Sequence, residues 1–502
     1  MEDPRESFMT KRRIARKSPR GSLSGTVTNP AADRLAISLR KRGAKTLYKT
    51  PPIPYLRFSR RTRKSTYAAN AGLGLTINRG LRALHTYHEP LDLVRERSPE
   101  RPVALVRPGV LAVAARWFQE NFKGDVLYAV KANPSPWVIR GLVEQGVRSF
   151  DVASIPEIEL VSEHAPGSRM AFMHPVKSRK AISAAYFDHG VRTFSLDTHE
   201  ELAKILDATG GAKDLNLIVR LAAGSEGSMY ALSGKFGVET HEAPALLLAA
   251  RRATQDLMGV SFHVGSQCMR PTAYQGAMSQ ASRALVRAGV FADIVDVGGG
   301  FPSVYPGMIP PALTDYMDSI HRGFAEMMVH ETTELWCEPG RALVAEASSV
   351  LVKVELKKGD ALYLNDGSYG TLFDAAHTKW PFPAKMIRDG EASSELKPFR
   401  FYGPTCDSID HMPGPFWLPA DIEEGDYIEI GMLGAYGVAM NTRFNGFGDT
   451  DGAIVEDAPM ASMYGLASRV IATPKADEEE ARKVVRFSRP KGKAGQRKQR
   501  KR

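Results

Sequence analysis

Val126-Leu-Tyr-Ala-Val-Lys-Ala-Asn-Pro134 is an apolar run that reaches a lysine, Lys131, and is stopped at once by Asn-Pro. A short apolar run bounded by turn formers suits a strand covered on both faces. Similar runs recur: the candidates are Asp125–Val130, Ser149–Val152, Arg169–Met173, Thr193–Ser195, Leu215–Leu221, Leu257–Val264, Ile294–Val297 and Glu334–Glu338. Helical patterns such as Ser154–His164, His199–Thr209 and Glu242–Gln255 lie between them. Eight strands interleaved with helices predict an α/β fold, a (β/α)8 TIM-like barrel. The carboxyl ends of its strands carry the chemistry, and Lys131 stands at one of them. The apolar strand beneath it is expected to desolvate its ammonium and favour the free amine, which can attack a carbonyl. A lone lysine at a strand end is more often a plain surface cation, so Lys131 needs company.

The barrel is expected over residues 100–340, with a first strand near Pro102–Val106 joining a second domain and a helix at Gly109–Phe122. After Arg341 the texture changes. Val344–Lys357, Asp360–Asn365, Arg400–Gly403 and Asp426–Ile430 are strand-like, and turns such as Lys358-Gly-Asp360 leave little room for long helices. A C-terminal β-sandwich or β-barrel-like domain is expected over 341–473.

The chain has 502 residues, 43% hydrophobic and 25% charged, ordinary values for a globular protein of two or three domains. Cys268, Cys337 and Cys406 are too widely spaced for a disulfide framework or a metal cluster, which fits a reducing cytoplasm. No segment approaches the ~18 apolar residues of a membrane span. The net charge of +11 is unevenly placed. Residues 1–70 hold 18 Lys/Arg against 4 Asp/Glu, and residues 481–502 hold 11 Lys/Arg and no acid. The stretch between them is acidic, 38 basic residues against 52, which suits a cationic small molecule better than nucleic acid. The basic ends, 1–90 and 474–502, read as disordered solvated extensions, with contact to an anionic polymer as the other reading. The N-terminal one is Arg/Ser/Thr-rich like a transit peptide, but Glu2, Asp3 and Glu6 argue against that.

Further candidates share the position of Lys131. His263 follows the apolar Gly259-Val-Ser-Phe. Gly298-Gly-Gly300 follows Asp296-Val297 and lets backbone N–H groups approach an anion; it is not the dinucleotide fingerprint. Glu338-Pro-Gly-Arg341 ends another strand with a carboxylate and a guanidinium, suited to a protonated ring nitrogen and a phosphate. Each alone has a bland reading: a structural histidine, a Gly-rich turn, a salt-bridged turn. At one barrel rim they describe a site for pyridoxal 5'-phosphate.

The stretch from about 100 to 465 resembles the barrel-type, alanine-racemase-like pyridoxal phosphate-dependent amino-acid decarboxylases, the group of ornithine, diaminopimelate and arginine decarboxylases. The resemblance rests on Tyr128-Ala-Val-Lys-Ala-Asn133, Phe150-Asp-Val-Ala-Ser154 with Glu157-Ile-Glu159, Lys235-Phe-Gly237, His263-Val-Gly-Ser266, Gly298-Gly-Gly300, Glu338-Pro-Gly-Arg341, Gly403-Pro-Thr-Cys-Asp407 and Gly434-Ala-Tyr436 with Phe444-Asn-Gly-Phe447. It implies that Lys131 carries the cofactor covalently and that His263 stacks on its ring. Ser266, Gly299, Gly300, Arg341 and Tyr436 would hold the phosphate, and Glu338 the ring nitrogen. Asp151, Glu157 and Arg220 would support the lysine and the ring. It further implies a homodimer with shared sites, Cys406 and Asp407 coming from the neighbouring subunit and Lys235 pairing with Asp410 across the boundary. Cys406 would return the proton to Cα.

Asp374 matches the acid that holds a distal substrate amine, and Asp407 would share it; Phe444 belongs with these substrate residues. Two acids facing an ammonium select a cationic amino acid. The reaction implied is decarboxylation of L-ornithine to putrescine, for polyamine biosynthesis. Lysine is longer by one methylene, worth only ~1–3 kcal/mol of discrimination, so dual ornithine/lysine use is the first alternative. Diaminopimelate decarboxylation is the second; Cys406-Asp407 stands where those enzymes typically have Cys-Glu. A non-enzymatic relative would be expected to lack the lysine, a phosphate ligand or the cysteine, and none of these is missing here.

Overall fold

In the computed structural model, residues 84–224, 227–230, 234–378 and 380–466 are described. The basic extensions expected over 1–90 and 474–502 lie almost wholly outside these residues. Eight parallel strands close into a barrel: Asp125–Ala129, Ser149–Val152, Arg169–Phe172, Thr193–Leu196, Asn216–Arg220, Met258–Ser261, Ile294–Asp296 and Glu334–Cys337. Register is continuous around the ring, and the last strand returns to the first through Trp336 opposite Asp125 and Cys337 opposite Val126. Leu127, Ala171, Ile218, Ile294 and Trp336 pack together, filled from different strands as a barrel interior requires. Arg169 donates to Asp125 at 2.6 Å and to Glu334 at 3.1 Å and lies over the Trp336 ring, closing the end where the strands begin.

Helices cover the outside, several started by side-chain caps. Ser154, Ser178 and Thr198 accept from the N–H groups of Glu157, Ala181 and Glu201. The second layer is a nine-stranded mixed sheet among the described residues. Its long strand Ser348–Lys358 pairs antiparallel with three others, Ser348–Leu351 with Val103–Val106, Val350–Lys353 with Tyr427–Ile430 and Val354–Lys358 with Ala361–Leu364. Two sequence boundaries shift. Thr86–Tyr87 already pairs with Ile454–Val455, inside the stretch expected to be an extension. Val344 ends a short helix, Arg341–Val344, and a 3-10 turn follows, so the strand expected from Val344 starts at Ser348. The apolar Ala342-Leu-Val-Ala345 is buried on every side, a pattern that periodicity cannot assign. No described helix is long and apolar enough to cross a membrane.

Candidate active site

Lys131 lies in a 3-10 turn, Val130–Ala132, that follows its strand directly. Three ties fix the turn. The Tyr128 hydroxyl donates to the Asn133 carbonyl at 3.0 Å, the Asn133 amide to the Gly434 carbonyl at 2.8 Å, and the Tyr436 N–H to the Ala132 carbonyl at 2.8 Å. Lys-Ala-Asn is therefore the joint between the barrel and the loop that carries Tyr436. Tyr436 itself has φ +57°, a left-handed conformation that this joint must sustain.

The Lys131 ammonium is 2.5 Å from Asp151 Oδ2, and 44% of the side chain's surface stays open to the barrel mouth. Its charge state corrects the expectation. Desolvation favours the free amine, but Asp151, Glu338 and Tyr436 outweigh it and hold the ammonium above the usual lysine range. An apolar strand said nothing about acids arriving from other strands. Glu157, in the first turn of the helix Ile155–His164, accepts from the Ala153 N–H at 2.7 Å, and burial pushes it up to about 7.

His263 is neutral: burial, then Arg220 and Lys131, push it down to about 3. Its Nδ1 accepts from the Gly265 N–H at 3.0 Å, which leaves the proton on Nε2. The Gly-rich loop packs flush against it. A Cβ at Gly299 would lie 2.7 Å from the Glu338 carbonyl and 3.2 Å from His263 Nε2; one at Gly300, where φ is +101°, would lie 2.5 Å from the Gly265 carbonyl. The Tyr274 hydroxyl holds this loop through the Gly299 carbonyl at 2.9 Å. Ser266 is half-buried in a short strand that pairs with Ser228–Tyr230. Arg220 ends its barrel strand with the guanidinium over the Phe236 ring. Glu338 is buried beside Asp296, and burial together with Asp296 and Asp151 raises its pKa well above the usual carboxylate range.

Arg341 is 6% exposed and stays charged, since Tyr305 and Asp374 offset its desolvation. One of its nitrogens, Nη1, donates to Asp374 Oδ2 at 2.6 Å and to the Tyr305 hydroxyl at 2.8 Å. Asp374, expected to hold a distal substrate amine, is ion-paired with Arg341 here, because a buried unpaired carboxylate is costly. Arg341 Nε is buried with no partner, and the guanidinium lies 5.0 Å from the Tyr436 ring.

Cys406, Asp407 and Phe444 stand apart. The Cys406 N–H donates to Asn445 Oδ1 at 3.2 Å, and Asp407 Oδ2 accepts from the Tyr369 hydroxyl at 2.7 Å. The Phe444 ring, 42% exposed, lies 4.7 Å from that of Tyr369. Cys406 is exposed and lines a cavity of about 770 Å³ with Asp407, Phe447 and Glu100. Among the described residues, no hydrogen bond, ion pair or ring contact joins these three to the barrel-mouth residues. Asp410, expected to meet Lys235 across a boundary, is 1% exposed. Its oxygens accept from Ser368 and Thr405, so it staples two loops inside one chain. Tyr305 and Tyr369 are site residues that the sequence reading missed; each is a single tyrosine in a loop, with no spacing to mark it.

The mouth fits pyridoxal phosphate on its own geometry. An orphaned buried guanidinium N–H, a glycine cradle that admits no side chain, a neutral imidazole, a buried acid and an open lysine are complementary to phosphate, ring and aldehyde. The fold and site therefore define a pyridoxal phosphate-binding barrel. The family model for the pyridoxal-binding domain of pyridoxal-dependent decarboxylases matches residues 110–345. A lysine/ornithine decarboxylase of Selenomonas ruminantium is 33% identical over 345 residues, 67% of this chain and 85% of the relative. Ornithine decarboxylase of Mus musculus is 30% identical over 406 residues, 74% of this chain and 84% of the relative. The crystal structure of Paramecium bursaria Chlorella virus arginine decarboxylase bound to agmatine shares a TM-score of 0.65 at 26% identity, over 72% of this chain and 98% of that one. The chain belongs to the pyridoxal-dependent amino-acid decarboxylases, the family of the ornithine and lysine/ornithine enzymes.

Proposed function

We propose that this decarboxylase converts L-ornithine to putrescine and CO2, for polyamine biosynthesis in the cytoplasm, and that two copies of the chain complete each other's sites. The observation that carries the substrate reading is the pair of carboxylates, Asp374 and Asp407, one beside the phosphate-binding Arg341 and one beside the exposed Cys406. Two acids of this kind suit a distal ammonium. The half-site character of Cys406, Asp407 and Phe444 supports the two-copy reading, since they line an open cavity or solvent with no barrel partner among the described residues. The domain reading goes with it: a barrel to about residue 340, then the β layer.

When bound, pyridoxal phosphate supplies an aldehyde for the substrate amine and a ring that accepts the electron pair left by CO2. Lys131 would tether it, with Asp151, Glu338 and Tyr436 setting the charge at Nζ and Glu157 supporting Asp151 from behind. His263 would pack against the ring as a neutral surface, and Glu338 would hold the ring nitrogen. Arg341, Ser266, Gly299, Gly300 and Tyr436 hold the phosphate, and Arg220 braces the wall beside His263. Asp374 and Asp407 orient the substrate's distal amine, Phe444 shields it from water, and Cys406 Sγ returns a proton to Cα. Dual use of lysine is the second reading, favoured by the Selenomonas ruminantium relative.

Release of labelled CO2 from L-ornithine, L-lysine and meso-diaminopimelate tests the assignment side by side. The expected order is ornithine first, lysine second and diaminopimelate near background. Preference for diaminopimelate overturns it.

A further inference from the structure

Tyr305 belongs to no motif of the site, yet it is fully buried and its hydroxyl accepts from Arg341 Nη1 at 2.8 Å. Its ring packs against Phe382 at 4.9 Å and Trp380 at 5.7 Å, two residues of the β layer, and Trp380 also lies 5.5 Å from the Arg341 guanidinium. The loop that bears it is braced twice. Tyr305 and Met308 exchange both backbone hydrogen bonds, at 3.1 and 2.8 Å. Gln267, next to Ser266, accepts from the Ser303 N–H at 3.0 Å and donates its amide to the Ser303 carbonyl. Tyr305 and Ser266 are therefore parts of one rigid frame around Arg341.

That frame uses Nη1 alone and leaves Nε buried without a partner. A planar guanidinium offers a fixed fork of donors, so anchoring one corner sets the direction of the rest. We propose that Tyr305 is a positioning residue: with Asp374 it holds Arg341 by Nη1 so that Nε is aimed at the cofactor's phosphate. The proposal rests on the cofactor reading of the mouth and adds to it a residue that touches neither ring nor substrate. Its consequence is selective. Tyr305 acts on the site's affinity for the phosphate, not for the pyridine ring.

The test compares pyridoxal 5'-phosphate with pyridoxal, which lacks the phosphate. Both are titrated by absorbance and by thermal shift into the full-length apoprotein and its Tyr305→Phe variant, which keeps the ring and loses the hydroxyl. Loss of one buried hydrogen bond to a charged group predicts roughly tenfold weaker binding of pyridoxal phosphate, with pyridoxal unchanged. Tyr305→His, which can still accept from Arg341, is expected to recover part of the preference. Equal weakening of both ligands, or of neither, overturns the proposal. A parent protein that shows no preference for the phosphorylated ligand overturns instead the cofactor reading beneath it.

Discussion

The barrel mouth and the exposed face around Cys406 obey opposite physics. At the mouth the ionisable groups meet one another: Lys131 meets Asp151, Arg341 meets Asp374 and Glu338 meets Asp296. Pairing of this kind sets charge states before any ligand arrives, and with them the work each group can do. Around Cys406 the groups are open. Tyr369 holds Asp407, Asn445 holds the Cys406 backbone, and Phe444 shows much of its ring to solvent. The first region gathers its cofactor-binding groups within one chain; the second leaves its side chains open. The contrast teaches that binding and turnover are separable here, and variants in the two regions should fail differently.

The largest effect is expected at the mouth. Lys131→Ala should abolish the visible absorption of the holoprotein and lower decarboxylation by at least about 10³-fold, since the group that fixes the cofactor is gone. Retained absorption at full intensity would remove Lys131 from its role. Cys406→Ala should instead keep that absorption and lower product formation by about 10²-fold, the scale of one proton transfer. Mixing the two variants sharpens the contrast further. If each site draws Lys131 from one chain and Cys406 from another, exchange of subunits should restore roughly a quarter of the parent activity. If both residues serve one chain, the mixture stays dead, and the proposal of shared sites goes with it.

The strand ends were legible because burial on both faces writes itself into the chain as short apolar runs, and the ends of those runs fall at one rim. Lys131, His263, Gly299 and Glu338 could therefore be placed by position alone. Local patterns do not record which groups from distant strands will meet. Asp151 arrives beside Lys131 from the next strand and reverses the charge state that its own apolar strand suggested. Asp374 meets Arg341 across 33 residues, and Asp410 turns inward to Ser368 across 42. Tyr305 had no local signal at all, because its partner is set by the packing of the barrel loop on the β layer.

The smallest predicted effect asks whether buried carboxyls away from the mouth follow the same rule. Glu346 lies in the turn after the Arg341–Val344 helix and is 3% exposed. One oxygen accepts from the Met463 N–H at 2.6 Å, and the other is buried with no partner. Burial pushes its pKa up to about 7, although Ser462 and the Met463 N–H pull the other way. The folded value thus lies above the unfolded one, near 4.5. As pH rises from about 4.5 to 7, the unfolded chain releases this proton while the folded chain keeps it, so stability falls across that window and levels off above it. Glu346→Gln keeps the acceptor for Met463 and removes the titration. Its urea midpoint should match the parent near pH 5 and exceed it at pH 8, by on the order of 1–3 kcal/mol when converted. Parallel profiles at both pH values would mean that Glu346 is already ionised in the fold, and that charge tuning by burial is confined to the barrel mouth.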